Sequence, residues 1–513
     1  MKVLHISRLL PQEMLGPMVL SRVAKDAGHD MKALVLPDPG WLKKIEEYRP
    51  DVISWSVMTG NHKPIFDVNK FLKSKFDFFS LMGGPHVTFV PESANQDGVD
   101  AVCRGEGEGA FVELLDTLER GDDWRDIQNL TYVDGGGELI QNPLRPMVQD
   151  LDALGFPDRS VIYDAAPIYR DSDRKVFLTQ RGCPMSCSFC FHHAWRGKVY
   201  EVGNASYVRK RSVGHLIEEV NEVRHRYPLR FVHFLDDIFN IRPDWLAEFS
   251  ERWPKEVGLP FDVILMANMT SEEHIKQLKH AGCVYARIAF EAANERIRNV
   301  VFRKNTEERH LVNSSEWIKK HGIRLGSLNM LGAPGGTIED DFDTVALNVK
   351  CGVDHPLCSI VQPYPEYDLN DITREMGIAV AEYDDFPAQF NRDATIEVKD
   401  KAAIENLHKW FPLLVRFPWL LPFARRTVGA KWMKKPLLAL YALFSEWLVT
   451  EQNMLYRRAQ GARGPSTWAP LDFTSRVARK VFVRVLGAVG GSVVRKMATR
   501  LQMGDERVVA HMD

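Results

Sequence analysis

The chain has no uncharged apolar run of 18 residues, almost no net charge and few cysteines. Without such a run no membrane-spanning helix is expected. "MKVLHISRLL" has no charged leader region, long apolar stretch or small-residue cleavage site, so no secretory leader is read and the expected location is cytoplasmic. With 66 Lys and Arg against 68 Asp and Glu the net charge is -2, which does not imply nucleic acid as a partner. Seven cysteines in 513 residues make no disulfide framework. Three of them fall within eight residues, which favours a metal centre in a reduced compartment.

What is present is alternation. From 1 to about 150, short apolar runs ("KVLHI", "MKALVL", "DVISWSV", "FFSLMGG", "AVCRGEGE") are separated by helical patterns at 17–27, 40–48 and 63–74. This predicts a doubly wound, Rossmann-like α/β domain over 1–150. Ligands of such sheets bind at the carboxyl ends of the strands, where "SVMTGN", "GGPH" and "GEGEG" fall; each glycine also serves equally as a turn residue. Residues 151–172 read as a linker, and the preceding "DGGGE" as a hairpin turn. Six further strand-helix units over 173–375, from "KVFLTQ" to "CSIVQPYP", predict a partial (β/α)6 barrel of TIM type. Six units leave one side open, which suits a bulky substrate or a second domain docking across the gap. From 376 to 513 the chain reads as mainly helical, basic and amphipathic.

"RGCPMSCSFCFHH" places Cys183, Cys187 and Cys190 as C-x3-C-x2-C. Zinc sites usually draw two pairs from separated segments, so three thiolates on one loop suit zinc poorly. A 4Fe-4S cluster held by three thiolates keeps one iron open. His192 and His193 stand as alternative fourth ligands, although each lies very close to Cys190. With Phe189 before the third cysteine, at the first strand-to-loop junction of a six-unit barrel, the motif resembles that of the radical S-adenosylmethionine enzymes. The resemblance implies that the open iron chelates the amino and carboxylate groups of S-adenosylmethionine. It assigns Asp236 and Asp237 of "HFLDDIFN" to the methionine amino group, against the plainer reading of a solvated strand end. It further implies Glu291 as ribose partner and Arg287 as carboxylate partner, in "RIAFEAANERI". Gly332, Pro334 and Gly335 of "MLGAPGGT" fall close to the adenine. "QPYPEYDL" resembles the sixth strand, except that Glu366 and Tyr367 stand where relatives usually carry Gly-Thr, which puts the local turn in question.

"LMGGPHVTFVPE", "VDAVCRGEGEGAFVELL" and "LDALGFPDRS", in that order, resemble the cobalamin-binding half of cobalamin-dependent radical enzymes. That group includes the anaerobic magnesium-protoporphyrin monomethyl ester cyclases and the hopanoid C-methylases. The resemblance spans about residues 1–375 and implies Ser56, Thr59, Gly83, Gly84, Pro85, Gly105 and Glu106 as cobalamin contacts. The Asp-x-His-x-x-Gly segment that supplies a cobalt-ligating histidine is absent; "SRLLPQEMLG" occupies its place. Cobalt then lacks an imidazole from that loop, and His86 reads as a loop residue. A domain that keeps the fold without the cofactor is the alternative.

The expected cofactors are therefore a 4Fe-4S cluster, S-adenosylmethionine and cobalamin, with an electron donor such as flavodoxin or ferredoxin. The expected function is methyl transfer to an unactivated carbon of an apolar, lipid-like small molecule. A radical cyclase is one alternative and a non-catalytic cobalamin or iron-sulfur sensor another. Cys283, Cys351 and Cys358 lack cluster spacing and read as buried structural thiols. From Phe473 to Met503 there are seven Lys or Arg and no acid. That segment reads equally as a peripheral membrane contact and as a solvated helix face.

Overall fold

The computed structural model describes residues 1–387, 394–442 and 444. Five parallel strands open the chain: β1 (Lys2–Arg8), β2 (Asp30–Leu36), β3 (Val52–Ser56), β4 (Phe79–Gly83) and β5 (Ala101–Cys103). Their order is β2-β1-β3-β4-β5. Helices Leu15–Asp26 and Glu108–Arg120 bury Met18, Ala24, Phe111 and Leu114 on one face. Helices Trp41–Tyr48 and His62–Lys73 bury Ile45, Phe66 and Leu72 on the other. Apolar residues on both faces of each strand demand this two-sided cover.

The expected connector contributes more than a turn. Asp134 to Glu138 closes a hairpin whose arms, β6 (Leu130–Val133) and β7 (Leu139–Gln141), extend the sheet antiparallel to β5. Residues 151–172 are packed, with Val161, Ile162 and Tyr163 buried against the core of the first sheet.

The second sheet starts with β8 (Arg174–Phe177). A short antiparallel ribbon, β9 (Gln180–Arg181) and β10 (Arg209–Lys210), frames the cysteine loop. Five parallel strands follow: β11 (Phe231–Phe234), β12 (Phe261–Leu265), β13 (Cys283–Glu291), β14 (Arg324–Leu331) and β15 (His355–Ile360). The order β15-β14-β13-β12-β11-β8 gives a curled parallel half-barrel whose edges, among the described residues, are β8 and β15. Its outward side chains pack under the surrounding helices in a large core that includes Phe234, Phe249, Trp253 and Phe261. The sixth strand starts at His355 and ends before the "QPYP" expected to continue it, because two prolines cannot donate to the ladder.

Helix Lys401–Arg416 covers the β15 edge, with His408 bonded to the Cys358 carbonyl at 3.0 Å. On the other side, residues 9–13 of the first domain face the gap: Leu10 N–H reaches Tyr169 at 2.9 Å and Gln12 meets His233 at 3.4 Å. No helix among the described residues is long and apolar enough to cross a membrane. The basic run from 473 to 503 lies outside the described residues.

Candidate functional site

Cys183, Cys187 and Cys190 ride on one loop between β9 and helix Phe191–Ala194. The loop is pinned from below. Ser188 N–H and Oγ donate to the carbonyls of Phe302 at 3.1 Å and Val301 at 2.6 Å, and Phe189 meets Phe302 edge to face at 5.4 Å. Burial pushes the Cys183 thiol up to about 11 and raises Cys187 and Cys190 too. Among the described residues no three His, Cys, Asp or Glu converge tightly enough for a single metal ion. His192 is held by Tyr207 and Asp237, both at 2.7 Å, and His193 by Asp368 at 3.0 Å and Arg196 at 3.3 Å. Both rings are thus engaged on both nitrogens, and the local donor set is three thiols. That set fits a cluster with one open iron.

The two adjacent aspartates part company. Asp236 is buried and accepts from Thr179, backbone and hydroxyl; burial raises its pKa while the nearby Lys210 opposes the rise. Asp237, more than half exposed, faces the cysteine loop through His192. Glu291 ends β13 at a bulge with a left-handed φ of 60°, a costly conformation for a non-glycine. Its carboxylate meets Lys304 at 2.9 Å. Burial opposes the Lys304 charge, yet Glu291 above all holds its pKa above the ordinary lysine value. Gly332 has φ 73° and donates its N–H to Asp341 at 3.1–3.2 Å. Pro334 is buried beside it, and exposed Gly335 accepts from Arg296. Arg287 lies four residues deeper, against His233 and Asp262, away from the cysteine loop's own contacts. Glu366 adopts a left-handed φ of 70°, its carbonyl held by Lys198 at 2.8 Å.

At the first sheet, Ser56 is exposed at the end of β3, beside Val57 and Gly84. Gly84 has φ 99°, and a Cβ there would come within 2.8 Å of the Val57 backbone, so glycine lets the two strand ends close. Gly83 pairs with Ser56, and Pro85 opens helix Pro85–Phe89. Leu9 and Met58, 46% and 47% exposed, make these strand ends apolar. His86 is buried, bonded to Thr59 at 3.0 Å and stacked on His62 at 4.3 Å; burial lowers its pKa to about 3. It is packed in the short helix Pro85–Phe89 rather than in the loop expected from the sequence. Glu106 is consumed by Arg181 at 3.2 Å and Arg209 at 2.9 Å, and its N–H donates to Tyr200 at 2.7 Å. A Cβ at Gly105 would strike that Tyr200 ring. Glu106 therefore ties the first sheet to the residue two before Cys183.

Residues 1–115 match the family model of the B12 binding domain, and residues 177–347 that of the Radical SAM superfamily. An uncharacterized methyltransferase of Pyrococcus horikoshii is 30% identical over 332 residues, 63% of this chain and 69% of the relative. The chain belongs to the cobalamin-dependent radical S-adenosylmethionine enzymes. The anaerobic magnesium-protoporphyrin IX monomethyl ester cyclase of Rubrivivax gelatinosus is 22% identical over 67% of this chain and 61% of its own length. In fold, the chain is similar to the radical S-adenosylmethionine methyltransferase TsrM from Kitasatospora setae. The TM-score is 0.62 at 16% identity, covering 74% of this chain and 77% of that one.

As a radical S-adenosylmethionine enzyme the chain takes a 4Fe-4S cluster, S-adenosylmethionine and cobalamin, and the non-catalytic sensor reading falls away. The residues present fit these groups: three thiols on one loop, a glycine-closed pair of strand ends and an apolar platform above them. Two features escaped the sequence. Lys304 lies 13 positions past Glu291, beyond a π-helical turn Ile297–Val301, with no local signal. The wall of Phe89, Trp195, Tyr200 and Tyr367, with ring centroids 5.4–6.2 Å apart, did have one: "FHHAWRGKVY" is dense in rings just after the third cysteine.

Proposed function

We propose that this radical S-adenosylmethionine enzyme is a C-methyltransferase acting on an unactivated carbon of an apolar, lipid-like substrate. The supporting observation is the bridge of Glu106 to Arg181 and Arg209, which locks the cobalamin-domain strand ends to the entry of the cysteine loop. One substrate between the two can then meet both centres. When bound, the cluster supplies the electron that cleaves S-adenosylmethionine to a hydrogen-abstracting radical, and cobalamin supplies the methyl group.

The chain's own residues position and shield. Asp237 is the partner offered to the methionine ammonium and Glu291 to the ribose, with Gly332, Pro334 and Gly335 at the adenine. Asp236 fixes Thr179 and so the base of the loop. Ser56, Gly83 and Gly84 would admit the cobalamin tail, and Leu9 and Met58 would offer it apolar contact. The aromatic wall keeps water from the space between. The Rubrivivax relative favours a second reading, a radical cyclase, which shares every one of these positions.

Anaerobic reconstitution with cobalamin separates the two. Methyl transfer requires both 5′-deoxyadenosine and S-adenosylhomocysteine, each lost in Cys183→Ala, Cys187→Ala and Cys190→Ala. 5′-Deoxyadenosine without S-adenosylhomocysteine leaves the cyclase. A flavodoxin or ferredoxin is the proposed reductant. Peripheral membrane contact through 470–513 predicts liposome flotation that is lost when those residues are removed; no flotation of the full chain ends that idea.

A further inference from the structure

The register of the half-barrel separates its two faces. Val263, Ile288, Leu325 and Ile360 lie in the core under the helices. The residues alternating with them face inward, in rows Ile264–Arg287–Gly326–His355 and Ala289–Leu328–Leu357. Leu357 in mid-strand is 50% exposed, and Ile264, Ala289, Leu328 and Met330 keep accessible surface. Apolar side chains in the middle of barrel strands stay accessible only when they line an open lumen.

The floor of this lumen is polar. Asp262 is fully buried and bonded to His233; burial works against its charge, but His233, Arg287 and Arg174 keep the carboxyl well below the usual range. Arg287 answers it as a long ion pair, over the Tyr285 ring. Its Nη2 stands 3.6 Å from Asp262 and 3.5 Å from His233, and its Nε is buried without a hydrogen-bond partner. A guanidinium carries five N–H donors, and this one, in a side chain 12% exposed, shows only the long Nη2 contacts among the described residues. Gly326 makes room for Tyr285 and for it: a Cβ there would meet the Tyr285 hydroxyl at 2.1 Å and the Arg287 stem at 2.7 Å. Gln12 of the first domain reaches the same floor through His233, so that domain borders the lumen.

We infer that the lumen takes an amphiphile with a single anionic end, its chain against Leu328, Met330 and Leu357 and its carboxylate on Arg287. This rests on the barrel being the substrate chamber, gives Arg287 to the substrate in place of the methionine carboxylate that the resemblance implied, and narrows the proposed lipid-like substrate to acids. A carboxylate satisfies the guanidinium by paired N–H···O bonds, which an alcohol cannot reproduce.

Equilibrium dialysis of the reconstituted full chain against radiolabelled dodecanoate and 1-dodecanol tests it. Dodecanoate is expected to bind at least about tenfold more tightly, the margin of one charge-assisted pair. Arg287→Met abolishes the preference while dodecanol binding persists, Arg287→Lys restores part of it, and Leu357→Trp weakens both probes by filling the lumen. Equal binding of the two probes, binding of neither, or a preference that survives Arg287→Met overturns the inference. Because 5′-deoxyadenosine formation is measured separately, its presence alongside a failed dialysis leaves the radical chemistry standing and rejects only the acid.

Discussion

Lys304 sits between two residues in left-handed backbone, Arg303 at φ 50° and Asn305 at φ 52°, and its N–H is tied to the Arg298 carbonyl at 2.9 Å. Such strain holds a buried cation beside Glu291 and the cysteine loop. A positive charge near a cluster favours the reduced, more negative state. Lys304→Met should lower the cluster midpoint by roughly 60 mV, the one-electron equivalent of about 1.4 kcal/mol, and Lys304→Arg should recover most of it. An EPR-monitored redox titration measures both; an unchanged midpoint in Lys304→Met refutes the role. Asp341 makes a different prediction. Burial pushes its carboxyl up to about 8, with Asp340 adding to the shift and the Gly332 N–H opposing it. In the fold it stays protonated while the unfolded chain ionises near the ordinary aspartate value. The unfolded state then binds fewer protons between about pH 4 and 8, so this group's stabilisation is full below that window and lost as pH rises through it. Asp341→Asn keeps an acceptor for Gly332 and should flatten the decline in urea midpoint between pH 5 and 8. The cysteines could be singled out because their spacing is local, whereas Glu291 entered through the resemblance alone. Asp236 and Asp237 were not distinguishable, since adjacent strand-end residues point to opposite sides and only the fold says which side is open.

The six repeating units were readable at the scale of elements because each strand is a short apolar run and each helix carries its own periodicity. Helix Val213–Arg226 against an expected 213–227 and helix Ile338–Lys350 against 338–351 show how local that signal is. The pairing of β6 with β5 was not local: the turn was visible in "DGGGE", but its arms join the sheet only because β5 offers an edge 27 residues back, Cys103 pairing with Leu130. Support of the cysteine loop is likewise non-local. Phe302 is fully buried under Phe189, more than a hundred residues away, and its carbonyl holds Ser188. Phe302→Ala leaves a cavity there, costing about 3–5 kcal/mol. The loop loses its floor before the barrel loses its fold, so iron bound per chain should drop well below the wild-type value with far-UV dichroism retained. Full iron loading in Phe302→Ala would show that the loop is set by its own turns.

At the scale of the molecule, the two sheets are joined by a buried ionic knot. Arg159, 2% exposed in its side chain, reaches Glu13 at 2.8 Å, Glu219 at 3.0 Å, the Tyr163 hydroxyl at 3.1 Å and the Val176 carbonyl at 2.7 Å. Glu13 belongs to the loop after β1, Val176 to β8 and Glu219 to helix Val213–Arg226, so one guanidinium fastens the first domain to the open side of the half-barrel. Burying these charges gains little against an apolar joint, but removing one partner strands the others, at about 3–5 kcal/mol. The sequence shows that a gap must exist, because six strands do not close; it does not show what fills it, since Glu13 and Arg159 are 146 positions apart. Arg159→Met should therefore uncouple the halves. Calorimetry of the wild type is expected to give one cooperative transition, and the variant two, with new proteolytic cleavage in the packed segment 151–172. A single transition in the variant, merely shifted downward, would mean that the apolar packing of Val161, Ile162 and Tyr163 holds the halves together without the charges, and that the knot sets their register rather than their union.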